Sequence, residues 1–142
     1  MVELLIVLML VAMASGLAGL ALRDTSEARL DREAVRLSAL LEAARAESRA
    51  SGLAVRFELS SASNASGEAF RFSGLPVGVL PAGRWLEPAM QAQIVGARAV
   101  VLGPEPIIGA QRVVLWLDGR QRTLVTDGLA PFTVMNGGNT TP

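Results

Sequence analysis

The chain has 142 residues and no net charge, 13 arginines balancing 13 acids, and it contains no Tyr, His or Cys. Without His and Cys it lacks the commonest general base, the usual metal ligands and all thiol chemistry, and its carboxylates and hydroxyls form no recognisable constellation, so it does not read as an enzyme and calls for no cofactor or metal. Zero net charge likewise supplies no global field to gather nucleic acid, so no nucleic-acid partner is expected.

Leu4 to Leu22 is an unbroken apolar run, bounded by Glu3 before it and Arg23 after it. As a helix its 19 residues extend roughly 28 Å, enough to cross the hydrocarbon core of a bilayer. A cleaved signal would use Leu4–Val11 as its apolar region and Ala12-Met13-Ala14 as its cleavage site. Against that, the leading end carries an acid and no base, and the apolar run continues well past Ala14. A retained span over 1–22 is preferred. Arg23, Asp24, Glu27 and Arg29 nearly cancel, so flanking charge does not orient it. Inside the span, Ala12 with Gly16 and Ser15 with Gly19 are small residues four apart, a spacing that lets helices approach closely. Such residues are also simply common in spanning helices.

No proline precedes Pro76, and the stretch after the span is rich in Ala, Leu, Glu and Arg, so the helix is expected to continue over 23–52. Leu30, Ala34, Leu37, Leu41 and Ala44 recur every three or four residues as one apolar stripe that suits a sheet better than a coiled coil. Glu33 with Arg36, and Glu42 with Arg45, are expected to support its solvated face. Gly52 supplies the stop.

Residues 53–142 form the head. Leu53–Leu59 alternates as a half-buried strand, and Phe70 with Phe72 resumes the alternation as its hairpin partner. Ser60 to Glu68 between them reads as a mobile loop. Leu75 to Pro88 is a Pro- and Gly-rich connection holding Trp85. Further strands are expected over Gln93–Leu102, Arg112–Leu117, Arg120–Val125 and Phe132–Met135. Asp118-Gly119 is a strong two-residue hairpin signal, Asp127-Gly128 marks another turn, and the tail from Asn136 is expected to fray. Asn64-Ala65-Ser66 and Asn139-Thr140-Thr141 match the glycosylation acceptor pattern by chance. The expected class is α+β: a long N-terminal helix on an antiparallel sheet or a pair of sheets.

Val2-Glu3-Leu4-Leu5-Ile6-Val7-Leu8 resembles the start of type IV pilins and type II secretion pseudopilins. Arg36 to Ser48 with Gly52-Leu53-Ala54-Val55, and Val113-Val114-Leu115-Trp116-Leu117-Asp118-Gly119-Arg120, are similar to segments of the H-type minor pseudopilins, the GspH/FimT family. The resemblance implies a structural subunit of the type II secretion pseudopilus, single-pass in the inner membrane with its head in the periplasm. Implied partners are the other pseudopilins, major and minor, and a prepilin peptidase that cleaves and methylates the precursor. Glu3 would pair with the terminal ammonium of a neighbouring subunit, while Ala12, Ser15, Gly16 and Gly19 would be helix-packing positions. Met1 stands where that motif has Leu, and the basic leader, cleavage glycine and Phe-Thr are missing, which suggests a misplaced start codon or a trimmed chain. The competing role is a FimT-like pilin that takes up DNA, for which Arg112, Arg120 and Arg122 would have to share one patch.

Overall fold

A computed structural model describes residues 1–61 and 67–136, with Leu22, Arg23 and Asp24 described by backbone alone. Most of the expected Ser60–Glu68 loop, the tail beyond Asn136 and both Asn-x-Ser/Thr triplets lie outside the described residues. One helix, α1 (Val2–Ser51), runs 50 residues, about 75 Å at ~1.5 Å per residue. It ends where the sequence places the stop. Gly52 adopts a left-handed conformation, φ 70°, and its N–H donates to the Ser48 carbonyl.

Among the described residues seven strands follow: β1 (Val55–Leu59), β2 (Phe70–Ser73), β3 (Gln91–Ile94), β4 (Ala99–Gly103), β5 (Gln111–Leu117), β6 (Arg120–Thr126) and β7 (Thr133–Asn136). They make two antiparallel sheets, ordered β2-β1-β4 and β3-β5-β6-β7. The class is therefore α+β, with one helix on two sheets. The β1–β2 hairpin pairs Phe57 with Phe72, and the Asp118-Gly119 turn joins β5 to β6, both as the sequence anticipates.

The single strand expected over Gln93–Leu102 is two strands in different sheets. Gly96, with φ 76°, breaks the run, and four residues separate Ile94 from Ala99. Leu53 belongs to no strand. It is exposed, and its carbonyl accepts the Ser48 hydroxyl instead. The edge of β4 is closed by a side chain: Gln111 Oε1 accepts from the Val101 N–H at 2.6 Å and Gln111 Nε2 donates to the Val101 carbonyl at 2.8 Å. That amide stands in for a neighbouring strand and bridges the two sheets.

Leu30, Ala34, Leu37, Leu41 and Ala44 are all fully buried, against Val55, Phe57, Val100, Leu102, Leu115 and Leu124 from both sheets. Phe70 closes one end, its ring centroid 5.4 Å from Phe57 and 4.7 Å from Trp85. Gly83 permits this, because a Cβ there would collide with the Phe70 carbonyl, which its own backbone crosses closely. The stripe thus serves the chain's own sheets.

Leu37→Ala should cost about 2–5 kcal/mol of head stability, the range for a large-to-small change in a core with no room to collapse. Ala39→Ser, on the exposed side of the same turn, should change it by less than about 0.5 kcal/mol. Urea unfolding followed by circular dichroism measures both, and equal effects would mean the stripe is not the head's core.

Candidate functional site

The chain's distinctive surface is the helix itself, half of it committed and half of it bare. From Val2 to Ala21 every residue is exposed, including Leu4, Leu5, Ile6, Val7, Leu8, Leu10 and Leu17. This segment is long and apolar enough to cross a membrane. Exposing so much contiguous apolar surface in water is unfavourable at about 25 cal/mol per Å², so it needs lipid or other helices around it.

The positions singled out in the sequence fall on two sides of this helix. Ala12 is 18 residues from Leu30, about five turns at ~3.6 residues per turn, so Ala12, Gly16 and Gly19 continue the line of the sheet-facing stripe below the head. The space beside Gly16 and Gly19 is open. Ser15 lies next to that line, and its hydroxyl donates to the Val11 carbonyl at 2.8 Å, so it is already satisfied within its own helix. Glu3 falls in register with Ala21 and Ala39 on the opposite side. That outward side stays apolar and small beyond the bare segment, through Ala28, Val35 (62% exposed), Ala39, Ala43, Ala46 and Ala50, with Arg32 among them and Arg29 and Arg49 exposed at its borders.

The other half of the helix is fastened to the head by polar contacts at three levels. Lowest, Ser26 Oγ donates to Asp118 Oδ2 at 2.7 Å, and Glu27 takes Arg120 at 2.7 Å and Arg122 at 2.8 Å. Asp31 takes Arg122 at 2.5 Å. The Arg122 guanidinium is held above its ordinary pKa, chiefly by the Asp31 hydrogen bond, despite a burial that leaves the residue 7% exposed. In the middle, Glu33 is fully buried and accepts from Arg36 and from the Leu86 N–H at 2.9 Å, while Arg36 reaches the Arg84 carbonyl. Highest, Arg45, 1% exposed, donates to the carbonyls of Gly128 at 2.7 Å, Ala130 at 3.1 Å, Pro106 at 3.2 Å and Leu129 at 3.3 Å. Beside it Glu42 accepts the Phe132 N–H and Ser38 donates to the Phe132 carbonyl.

These contacts correct two expectations. Glu33 and Arg45 are not on a solvated face, because each borders the apolar stripe and is drawn in by loop backbone groups that no strand satisfies. Arg112, Arg120 and Arg122 share no patch: Arg120 and Arg122 point toward the helix, whereas Arg112 lies on the outer face of the sheet with Val114 and Trp116. The clue available in the sequence was position, since Glu33 adjoins Ala34 and Arg45 adjoins Ala44.

The arrangement is similar to the crystal structure of the type IV minor pilin FimU from Pseudomonas aeruginosa, with a TM-score of 0.57 over 80% of this chain and 92% of that one, at 14% identity. No family model and no curated protein matches the sequence. The fold is type IV pilin-like: one long N-terminal helix, apolar in its first half, laid on antiparallel sheets.

Arg45→Ala should destabilise the head by about 3–5 kcal/mol, because it leaves the Pro106 and Leu129 carbonyls without a donor and takes one of two donors from the Gly128 and Ala130 carbonyls. A loss below about 1 kcal/mol in denaturant titration would mean those contacts are incidental. The turn after β6 is acid-sensitive. Backbone N–H groups of Ala130 and then Leu129 hold Asp127 below the ordinary carboxylate pKa. Its contribution is therefore present above the unfolded pKa of about 4 and lost as pH falls through the lower folded value. Thermal melts from pH 6 to pH 2 should show a shallower acid limb for Asp127→Ala than for the parent, and superimposable curves would contradict this.

Proposed function

We propose that this protein is a minor pseudopilin of the H type, a structural subunit of the type II secretion pseudopilus rather than an enzyme. The observation that carries the reading is the division of one continuous helix: its second half is the spine of a pilin-like head, and its first half is wholly bare and apolar. A monomer has no use for that bare half except as an anchor. Single-pass insertion in the inner membrane, with the head in the periplasm, gives it lipid before assembly, and neighbouring pilin helices replace the lipid afterwards. Ala12, Gly16 and Gly19 are the positions where such helices would approach most closely, with Ser15 alongside. The small outward side of α1 above the span would extend the same packing. Partners are the other major and minor pseudopilins and, for the precursor, a prepilin peptidase.

Glu3 has the sharpest role. A carboxylate at the edge of an apolar helix costs little where headgroups and water reach it, but inside a filament of helices it needs a positive partner. The terminal ammonium of the adjacent subunit meets that need. A second reading, a minor pilin of a type IV pilus, is favoured by the likeness to FimU. Its DNA-uptake version is disfavoured by the pairing of Arg120 and Arg122 with Glu27 and Asp31. Genes for a secretion ATPase and secretin beside this one would support the pseudopilus, and pilus assembly genes would support the second reading.

Glu3→Val should leave membrane insertion intact, because it removes a charge from the span's edge, yet abolish incorporation into filaments. Membrane fractionation and filament shearing in the native cell measure the two steps. Normal incorporation of the variant would remove Glu3 from the assembly mechanism.

A further inference from the structure

Trp116 has no place in the core. It is half-buried on the outer face of the β3-β5-β6-β7 sheet, apart from the apolar cluster that Trp85 joins. Its ring is held by Nε1, which donates to Gln121 Oε1 at 3.1 Å. With Gln91, Gln93, Ala89, Ala92, Asp118 and Gly119 it lines an open cavity of about 580 Å³, within the range of small-ligand sites. The lining has an aromatic face, two amides and one carboxylate, and no cationic side chain.

The height of this cavity along the helix is fixed. Ser26 grips Asp118 at the hairpin tip, and Ser26 is four residues beyond Leu22, where the apolar run ends, or about 6 Å higher. Glu27 and Asp31 then hold Arg120 and Arg122 on either side of Gln121, the cross-strand partner of Trp116. The headgroup layer on each side of a bilayer is about 5–8 Å thick, so the tip lies within it, while Trp116, level with the stretch between Glu27 and Asp31 at about 8–14 Å, stands just above it. Tryptophan is enriched at the membrane–water interface, and this ring stands on its aqueous side with its N–H in polar surroundings.

We infer that the β5–β6 hairpin seats the head on the lipid surface before assembly, with the Trp116 cavity taking the ammonium of a zwitterionic headgroup such as phosphatidylethanolamine. An ammonium is attracted to the face of a Trp ring and to a carboxylate, and Asp118 supplies the latter through Oδ1, its Oδ2 being engaged by Ser26. Attraction to anionic lipid is not the basis, since Arg120 and Arg122 are neutralised by the helix. The cavity would empty when the helix leaves the membrane for the filament, freeing this face of the sheet.

This inference rests on the membrane-anchored reading, and the test separates the two. Full-length protein carrying Trp85→Phe has Trp116 as its only tryptophan, and Trp116→Phe provides the background; circular dichroism checks that both fold. Each is reconstituted into phosphatidylethanolamine-rich vesicles containing lipids brominated near the acyl carbonyl, and into phosphatidylglycerol vesicles without phosphatidylethanolamine. Flotation with the vesicles reports the anchor. Bromolipid quenching of Trp116, with protection from aqueous acrylamide that is lost in phosphatidylglycerol, is the expected result. Protein that floats while Trp116 stays unquenched overturns the seat and leaves the anchor standing. Equal protection in both lipids overturns the ammonium assignment, and protection that follows the protein-to-lipid ratio assigns the face to a second copy. Failure to float overturns anchor and seat together.

Discussion

Every feature of this molecule follows from one constraint: a single uninterrupted helix has to satisfy two unlike environments. Over its second half it is amphipathic, and burying Leu30, Leu37 and Leu41 brings two small sheets onto one spine. Over its first half, beyond Glu3, it is apolar on all sides, and none of the described residues covers it. The helix contributes five of the core's fully buried side chains, so the two sheets have no complete core without it. The bare segment and the core's spine are therefore one rod. Whatever grips the first half also fixes where the head stands.

Hydrophobic burial alone would leave the head free to slide or turn on the stripe, since Leu and Ala offer little register. The polar contacts supply it. Ser26, Glu27 and Asp31 hold the β5–β6 hairpin, Glu33 and Arg36 hold the backbone at 84–86, and Arg45 gathers four carbonyls of the loops around Pro106 and Gly128. Exposed ion pairs are worth little, about 0–1 kcal/mol, but the buried members of this set leave unsatisfied backbone groups behind when removed. The exposed members act on the register of docking more than on stability. Because the lowest level sits just above the end of the apolar run, it also sets the height of the hairpin relative to that run.

The large periodic elements were legible from the residues: the helix, its stripe, its stop at Gly52, the Phe57–Phe72 hairpin and the Asp118-Gly119 turn all appear where side-chain period and glycine place them. Less legible was how strands divide between sheets. Gln93–Leu102 reads as one apolar stretch, and only the left-handed geometry at Gly96 makes it two. Charges next to the stripe were misread for a definite reason. Residue type argues that Glu33 and Arg45 face water, but unsatisfied loop backbone, which no local pattern reveals, makes burial favourable. The same holds for Arg122, whose partners lie 91 and 95 residues earlier in the chain. Of the candidate assembly residues, their placement on a bare helix follows from the fold, while their role rests on what surrounds that helix in the cell.

The central claim is that helices of other pilin subunits replace lipid around the first half of α1. The chain has no cysteine, so single cysteines introduced at consecutive positions from Leu10 to Leu20 report on their neighbours without background. Oxidative crosslinking in the native cell, against cysteines at matching depths in the major subunit, should give adducts that recur every three or four positions with maxima near Ala12, Gly16 and Gly19. Uniform or absent crosslinking along the segment, in cells that assemble filaments normally, would contradict it.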